Sequence, residues 1–305
     1  GGSCNIVFSD AGFRFIYGAA ESTTIANQVA GNNFADTLKL QAVENINGVC
    51  TGLFTGNKNV ELSQLNVNPS GTGGLDFKIN GSGGTSIAKH PTFTTGVTLN
   101  FGGDSKATII NPNYLDAGQI KLHAQYNVGG VSLVGSSNNF WVQPAKLIVS
   151  AQKSGSDLDG TSNSATPTHK AGEVFDFQVR AVNALNDTTT QNYSPGEIQL
   201  LLDRTGPVLG GVDGTFNYGT GSIVSALSPT YQLVTLSNFN SGVSSTSAAY
   251  YSEVGLLNLD LQDSDYGGIG LTVDGDAINI GRFTPDHFTV VVTPTTGIGS
   301  FNDTC

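Results

Sequence analysis

The chain has 305 residues, of which only 12% are charged, and its 13 basic and 24 acidic residues give a net charge of −11. That charge repels nucleic-acid phosphates and anionic lipid headgroups, so we expect neither nucleic acid nor a membrane as a partner. A hydrophobic fraction of 38% together with 40 glycines predicts a folded, strand-rich, secreted protein that is long enough for two domains.

The first ten residues, GGSCNIVFSD, have neither the basic start nor the apolar stretch of a signal peptide. Because methionine is also absent throughout, we expect a mature segment cut from a longer precursor. No apolar run approaches the roughly 18 residues that cross a bilayer.

The cysteines predict a disulfide outside the cytoplasm. They form no CxxC pair and have no histidine at zinc-ligand spacing. Cys4 lies just before the presumed first strand and Cys50 follows the strand-like segment TLKLQAV, so we expect these two to pair. Cys305 is expected to stay unpaired within this chain.

A repeat with an offset of about 140 residues organises the chain. Three blocks recur: AGNNFADTLKLQAV from Ala30 and AGEVFDFQVRAV from Ala171, YLDAGQIKLHAQY from Tyr114 and YSEVGLLNLDLQD from Tyr251, and FWVQPAKLIVS from Phe140 with GRFTPDHFTVV from Gly281. The third block aligns Pro144 with Pro285 and Leu147 with Phe288.

Apolar and polar residues alternate along most segments, which is typical of half-buried strands. Ile120, Leu122 and Ala124 share one predicted face, for example. Because convincing amphipathic helices are absent, we predict an all-β fold of two tandem immunoglobulin-like β-sandwich domains. Their expected bounds are 1–146 and 147–287, and 288–305 would be the first strand of a truncated third unit or a C-terminal extension.

The third block predicts the joint between the domains. A proline cannot donate a hydrogen bond to a sheet and fixes its own φ, so Pro144 and Pro285 suit the boundary between a last strand and the next first strand. Trp141 is expected to pack at the same joint. Asp286 and His287 have no counterpart in the first copy, so we interpret them as a loop pair and not as an acid–base pair.

One loop resembles a calcium-binding loop. In DSDYGGIGLTVD the oxygens of Asp263, Asp265 and Asp274 stand at positions 1, 3 and 12, with glycine at position 6. The match is partial, because position 5 is glycine and flanking helices are missing. Weak calcium binding is the one cofactor hypothesis that the sequence supports. No nucleophile motif or metal cluster indicates catalysis, so we expect no enzyme.

The segments IANQVAGNNF, YLDAGQIKLHAQY and, above all, IGRFTPDHFTV resemble the large MshQ-like proteins of Gram-negative bacteria, which are associated with the mannose-sensitive haemagglutinin type IV pilus. The resemblance implies a secreted, pilus-linked surface protein with an adhesive role. The resemblance also implies that the partners of this chain are pilus subunits or other domains of the parent adhesin.

Two functions are compatible with these observations. The favoured one is a structural stalk segment of a pilus-associated adhesin, supported by the repeat, the acidity and the missing active site. The alternative is a carbohydrate-binding module that uses Trp141 or the nine tyrosines as stacking platforms for surface glycans.

Overall fold

The computed structural model describes residues 11–46, 48–128 and 130–291. Every regular element within these ranges is a β-strand. The first unit contains β1 (Ala11–Tyr17), β2 (Gln28–Val29), β3 (Leu38–Ile46), β4 (Val49–Gly52), β5 (Gly56–Asn68), β6 (Phe77–Ile79), β7 (Thr85–Ile87), β8 (Thr94–Phe101), β9 (Lys106–Ile109), β10 (Asn113–Tyr114), β11 (Gly118–Val128), β12 (Val131–Ser136) and β13 (Phe140–Gln143).

The second unit contains β14 (Lys146–Lys153), β15 (Ser156–Asp157), β16 (His169–Lys170), β17 (Phe175–Val182), β18 (Ile198–Gly206), β19 (Thr215–Asn217), β20 (Ser222–Val224), β21 (Gln232–Leu233), β22 (Val243–Tyr251), β23 (Gly255–Tyr266), β24 (Leu271–Asp276) and β25 (Ile278–Thr284). The described residues include no helix that is long and apolar enough to span a membrane.

Two main sheets form the first unit. In one, β3 pairs with β1 on one side and with β4 and β9 on the other. In the other, the strand order is β2-β13-β11-β5-β8, and β12 also pairs with β11. A small sheet of β10, β6 and β7 completes the unit. Apolar residues from both main sheets, such as Phe15, Leu40, Ile120 and Phe140, form one buried core.

The second unit repeats this arrangement. One layer has the order β14-β17-β22-β19-β20 and the other β16-β25-β23-β18-β21. Strand β24 joins the layers at one edge, because it pairs antiparallel with β23 and parallel with β14. A separate core lies between the layers, with Leu147, Val179, Leu200 and Leu259 at its centre. The predicted all-β fold with two tandem units is confirmed.

The strand pairing at the end of each unit reproduces the sequence repeat. Val142 of β13 lies opposite Gln28 in a parallel pair, and Phe283 of β25 lies opposite His169 in the same kind of pair. Each unit therefore closes one sheet with a short parallel strand at the point where the chain leaves for Pro144 or Pro285. The domain bounds inferred from the sequence stay a prediction.

Two equivalent glycines show why the second block recurs. Gly118 and Gly255 begin β11 and β23 with φ of +124° and +121°. A side chain at either position would also collide with a backbone carbonyl oxygen, that of Asn68 or Gly206 respectively. Only glycine suits this backbone conformation and this close approach.

Candidate functional site: the joint between the units

The two units are hydrogen-bonded to each other around the segment that connects them. The main-chain N–H of Ala184 donates to the carbonyl oxygen of Ala30 at 2.9 Å, across the boundary. The side-chain amide of Asn183 donates to the carbonyl oxygen of Leu115 at 2.7 Å. These bonds fix the β17–β18 connection of the second unit against the exit end of the first unit.

The buried carboxylate of Asp116 is the centre of the joint. It has no exposed surface. Its Oδ1 accepts hydrogen bonds from the main-chain N–H groups of Ala117 at 2.8 Å and Asn192 at 2.9 Å, and its Oδ2 accepts from that of Leu75 at 2.6 Å. Burial raises the pKa of Asp116, whereas the three N–H donors favour its charged form. One side chain thus connects a loop of each unit.

Lys89 lies close to this carboxylate. Its Nζ donates to the carbonyl oxygen of Leu75 at 2.7 Å and lies 5.2 Å from the ring centroid of Tyr114. Burial lowers the pKa of Lys89, and the negative charges of Asp116 and Asp76 partly offset that effect. The ammonium group therefore adds a cation–π contact and a nearby positive charge to the joint.

A second chain of hydrogen bonds passes through Tyr114. Its hydroxyl donates to Oδ1 of Asn66 at 3.1 Å and accepts from the side-chain amide of Asn192 at 3.3 Å. Burial raises the pKa of Tyr114, so the hydroxyl keeps its proton for donation. Asn192 therefore contacts the first unit through both its main chain and its side chain.

Aromatic rings cover the other side of the joint. Trp141 meets Tyr266 edge to face, with ring centroids 5.4 Å apart, and Tyr266 stacks on Tyr193 at 5.7 Å. The hydroxyl of Tyr266 donates to the carbonyl oxygen of Val142 at 3.3 Å. Trp141, a residue of the first unit, is thus half-buried against the core of the second.

Asp263, one of the three residues of the predicted calcium loop, has a structural role in the second unit. It is fully buried, and its carboxylate accepts hydrogen bonds from the Tyr193 hydroxyl at 2.9 Å and from the N–H groups of Gly196 and Glu197 at 3.0 Å each. These donors occupy both oxygens. The carboxylate orients the 193–197 loop, which lies beside the joint.

The structure does not bring the three proposed calcium ligands together. Oδ1 of Asp265 accepts from the N–H of Gly270 at 2.6 Å. Asp263 lies opposite Val273 in the β23–β24 pair, so the next residue, Asp274, points to the other face of the sheet. In the part of the chain that the structure describes, no group of three or more His, Cys, Asp or Glu residues could hold a metal. Calcium binding stays a prediction.

Both predicted boundary prolines lie at strand ends. Pro144 lies between β13 and β14, and Pro285 directly follows β25.

Asp286 and His287 form an exposed pair directly after Pro285. Asp286 accepts a hydrogen bond from Lys170 Nζ at 3.0 Å and lies 3.0 Å from Nδ1 of His287, with all three side chains exposed. This arrangement is a solvated ion pair. Such pairs contribute little to stability.

The cysteine pairing lies partly outside the described residues. Cys4 and Cys305 fall in the ranges 1–10 and 292–305, which the structure does not describe, and Cys50 is exposed on β4. The disulfide therefore stays a prediction.

Sequence reasoning missed Asp116, Asn192 and Tyr266 as joint residues. A signal for Asp116 was present, because the recurring block has a carboxylate at the same place in both copies, Asp116 and Glu253. Asn192 and Tyr266 offered no such signal, since their partners are far away in sequence.

Two family models match the chain. The model described as "Domain of unknown function (DUF6701), first Ig-like domain" matches residues 1–136, and "DUF6701, second domain" matches residues 143–243. The chain belongs to the DUF6701 family. The joint of this DUF6701 protein is therefore the contact between the family's first two domains, and the predicted immunoglobulin-like class is confirmed. No curated protein matches the chain.

Solved structures are similar to this DUF6701 chain only at a low level. The Yersinia pseudotuberculosis adhesin InvE matches with 12% identity and a TM-score of 0.34, over 87% of this chain and 60% of its own. The C-terminal domain of the Streptococcus pyogenes antigen I/II-family protein AspA matches with 9% identity and a TM-score of 0.29, over 88% of this chain and 99% of its own. The chain thus spans 60% of the length of the first of these structures.

Proposed function

We propose that this chain is a rigid, non-enzymatic stalk segment of a secreted adhesin that is associated with type IV pili on Gram-negative cells. The observation that carries the stalk role is the buried Asp116 carboxylate, which binds loops of both units at once. The similarity of GRFTPDHF to MshQ-like proteins supports the pilus association.

The connection between the units is short and held at both ends. Only Pro144 and Ala145 separate β13 from β14. The carbonyl oxygen of Gln143 accepts a hydrogen bond from the first unit, from Ala30 N–H at 2.8 Å, and the N–H of Ala145 donates to Val182 in the second unit at 2.8 Å. With φ of Pro144 fixed by its ring, this linker has little freedom to bend. Such a joint transmits tension from one unit to the next and keeps their relative orientation.

The experiment that tests the stalk is a measurement of joint rigidity. Amide ¹⁵N relaxation of the intact chain should give one overall tumbling tensor for both units, and small-angle scattering should fit one extended shape. Separate tumbling of the two units would contradict a rigid stalk.

The pilus association is tested by localisation. Antibodies against this segment should label the cell surface and should also label the pili that are released from cells by shearing. Labelling restricted to the cytoplasm would exclude the pilus association.

The alternative function is that of a carbohydrate-binding module. Trp141 is not an open stacking platform, because its ring packs on Tyr266 within the joint. The first unit has a groove of about 660 Å³ beside β8 and β9, lined by a mixture of threonine, asparagine, glycine and aliphatic residues together with Lys106. A glycan array should show no specific binding, and a saccharide bound in this groove would contradict a purely structural role.

A further inference from the structure

The far end of the second unit repeats the surface on which the second unit itself is docked. We call this end the terminal surface, and it comprises Ala171, the 207–212 loop and residues 252–254. Its counterparts in the first unit are Ala30, the 69–74 loop and residues 115–117. Both loops follow equivalent strands, since β5 and β18 pair with β11 and β23 and carry a register shift at the same place.

The carboxylate at the centre of the joint has an equivalent on the terminal surface. Asp116 stands in the sequence YLDAG and Glu253 in YSEVG. Oε1 of Glu253 accepts the N–H of the next residue, Val254, at 3.0 Å, as Asp116 does from Ala117. Asp116 additionally accepts the N–H of Asn192 from the docked unit. Glu253 is only half-buried, and no donor from another unit occupies it among the described residues.

The backbone acceptor of the joint is repeated as well. Ala30 and Ala171 each donate their main-chain N–H to the carbonyl oxygen of the residue directly before a boundary proline, Gln143 and Thr284 respectively, at 2.8 Å. The carbonyl oxygen of Ala30 accepts the N–H of Ala184 from the second unit. The equivalent oxygen of Ala171 has no donor within the ranges that the structure describes.

Buried polar side chains hold both loops in place. In the first unit, the amide of Asn66 donates to the carbonyl oxygen of Gly73 at 2.9 Å. At the equivalent position of β18, Arg204 Nε donates to Asp213 at 2.7 Å, and its Nη1 donates to the carbonyl oxygen of Pro207. The 207–212 loop is thus anchored at its base, although Leu209 at its tip is 89% exposed.

The residues after Pro285 supply the strongest asymmetry between the copies. Phe288 and Val290 align with Leu147 and Val149 of β14, which are buried in the second core. Phe288 and Val290 are instead 87% and 84% exposed. Two core-type residues at strand spacing are therefore exposed to solvent just after β25.

We propose that the terminal surface docks another immunoglobulin-like unit of the same repeat, in the orientation that the second unit takes on the first. The partner's first strand contains Phe288 and Val290, and its core buries them. A main-chain N–H of this partner donates to Glu253 and another donates to the carbonyl oxygen of Ala171. The inference rests on the proposed stalk function, because it extends the same rigid joint along the molecule.

A three-unit chain tests this docking with a defined probe. Residues 147–287 are repeated after residue 287, so that the added Leu147 takes the place of Phe288. ¹⁵N relaxation should show the added unit tumbling with the other two, and small-angle scattering should show a longer stiff rod. The amide of the added Asn192 should exchange with deuterium at least about 10-fold more slowly than in an undocked unit.

Two substitutions locate the contact. Glu253→Lys should release the added unit and abolish the slow exchange of its Asn192 amide. The matched control Glu44→Lys changes another half-buried glutamate, at the opposite end of the molecule, and should leave docking intact. Amide dispersion typical of a folded chain in both variants excludes unfolding as the cause.

The outcomes separate this inference from the stalk proposal. An added unit that tumbles independently, while the first two units stay rigid, overturns the docking inference alone. Independent tumbling of all three units overturns the stalk as well. Docking that survives Glu253→Lys overturns the assignment of the terminal surface.

Discussion

The main-chain N–H of Asn192 donates a 2.9 Å hydrogen bond to the fully buried carboxylate of Asp116, across the boundary between the two units. Because the same carboxylate also accepts from Leu75 and Ala117, its loss would leave three backbone donors without an acceptor. Asp116 is therefore one of several contacts that hold the two units in position, and it binds the most backbone donors among them.

Replacement of Asp116 by alanine should therefore destabilise the chain and loosen the joint. Buried donors that lose their partner cost about 1–3 kcal/mol each, and partial access of water should limit the total to about 3 kcal/mol. Urea unfolding measures this loss, and ¹⁵N relaxation should show the units tumbling separately. The control Asp104→Ala removes an exposed carboxylate that pairs with Lys106 and should cost under about 1 kcal/mol. Equal losses in the two variants would contradict the central role of Asp116.

The contribution of Asp116 to stability should depend on pH. Burial raises its pKa above the ordinary value of 3.8, so the folded state disfavours the charged form relative to the unfolded state. Its contribution is therefore largest below that ordinary value and falls as the pH rises through the raised pKa. The free energy of unfolding of the wild type, relative to Asp116→Asn, should decrease as the pH rises from about 4 through the raised pKa of Asp116. A difference that stays constant or increases as the pH rises from about 4 would contradict the raised pKa.

A methyl group at Gly31 should disrupt the contact between the units. Its Cβ would lie 2.8 Å from the backbone nitrogens of Ala184 and Leu185 in the second unit. Gly81 is a matched control, because it has the same φ of +84° but open space around it. Both Gly→Ala changes should cost about 1 kcal/mol in backbone strain, and only Gly31→Ala should add a further loss and free the two units. Identical melting temperatures for the two variants would contradict the close approach at Gly31.

Removal of the Tyr193 hydroxyl should leave the buried Asp263 short of a donor. Tyr193→Phe should cost about 2 kcal/mol, because a buried carboxylate loses one of its hydrogen bonds. In Tyr231→Phe the lost partner, Asp260, is half-buried and can be solvated instead, so this control should cost under about 1 kcal/mol. Urea unfolding of both variants measures the two losses of stability. A larger loss for Tyr231→Phe would show that Asp263 does not organise its loop.

The predicted disulfide between Cys4 and Cys50 is compatible with the geometry of the first sheet. Cys50 lies on β4. Strands β1 and β4 both pair with β3, on opposite sides of it, so β1 and β4 lie about 10 Å apart. Cys4 precedes β1 by about 7 residues, which span up to about 23 Å when extended. A non-reduced digest should contain a peptide that links Cys4 to Cys50, and reduction should cost about 4 kcal/mol of stability on the chain-entropy model. A link from Cys305 to either residue would overturn this pairing.

The sequence by itself determined the strands and the repeat. Alternating residues such as Phe175, Phe177 and Val179 predict one buried strand face, and all three are buried. Period-2 alternation is a local property, so it can be recognised without knowledge of the fold. The joint at Pro144 was predicted from the repeat and from the fixed φ of proline, which are also properties of the sequence.

Only the tertiary structure decided what the polar residues do. Asp263 and Asp274 look alike in the sequence, yet one is buried under Tyr193 and the other is exposed on β24. Asp116 stands among ordinary loop residues until Asn192, 76 positions away, is folded against it. A carboxylate binds whatever donors the fold places within about 3 Å, and a fold sets those distances through contacts between residues that are remote in the chain.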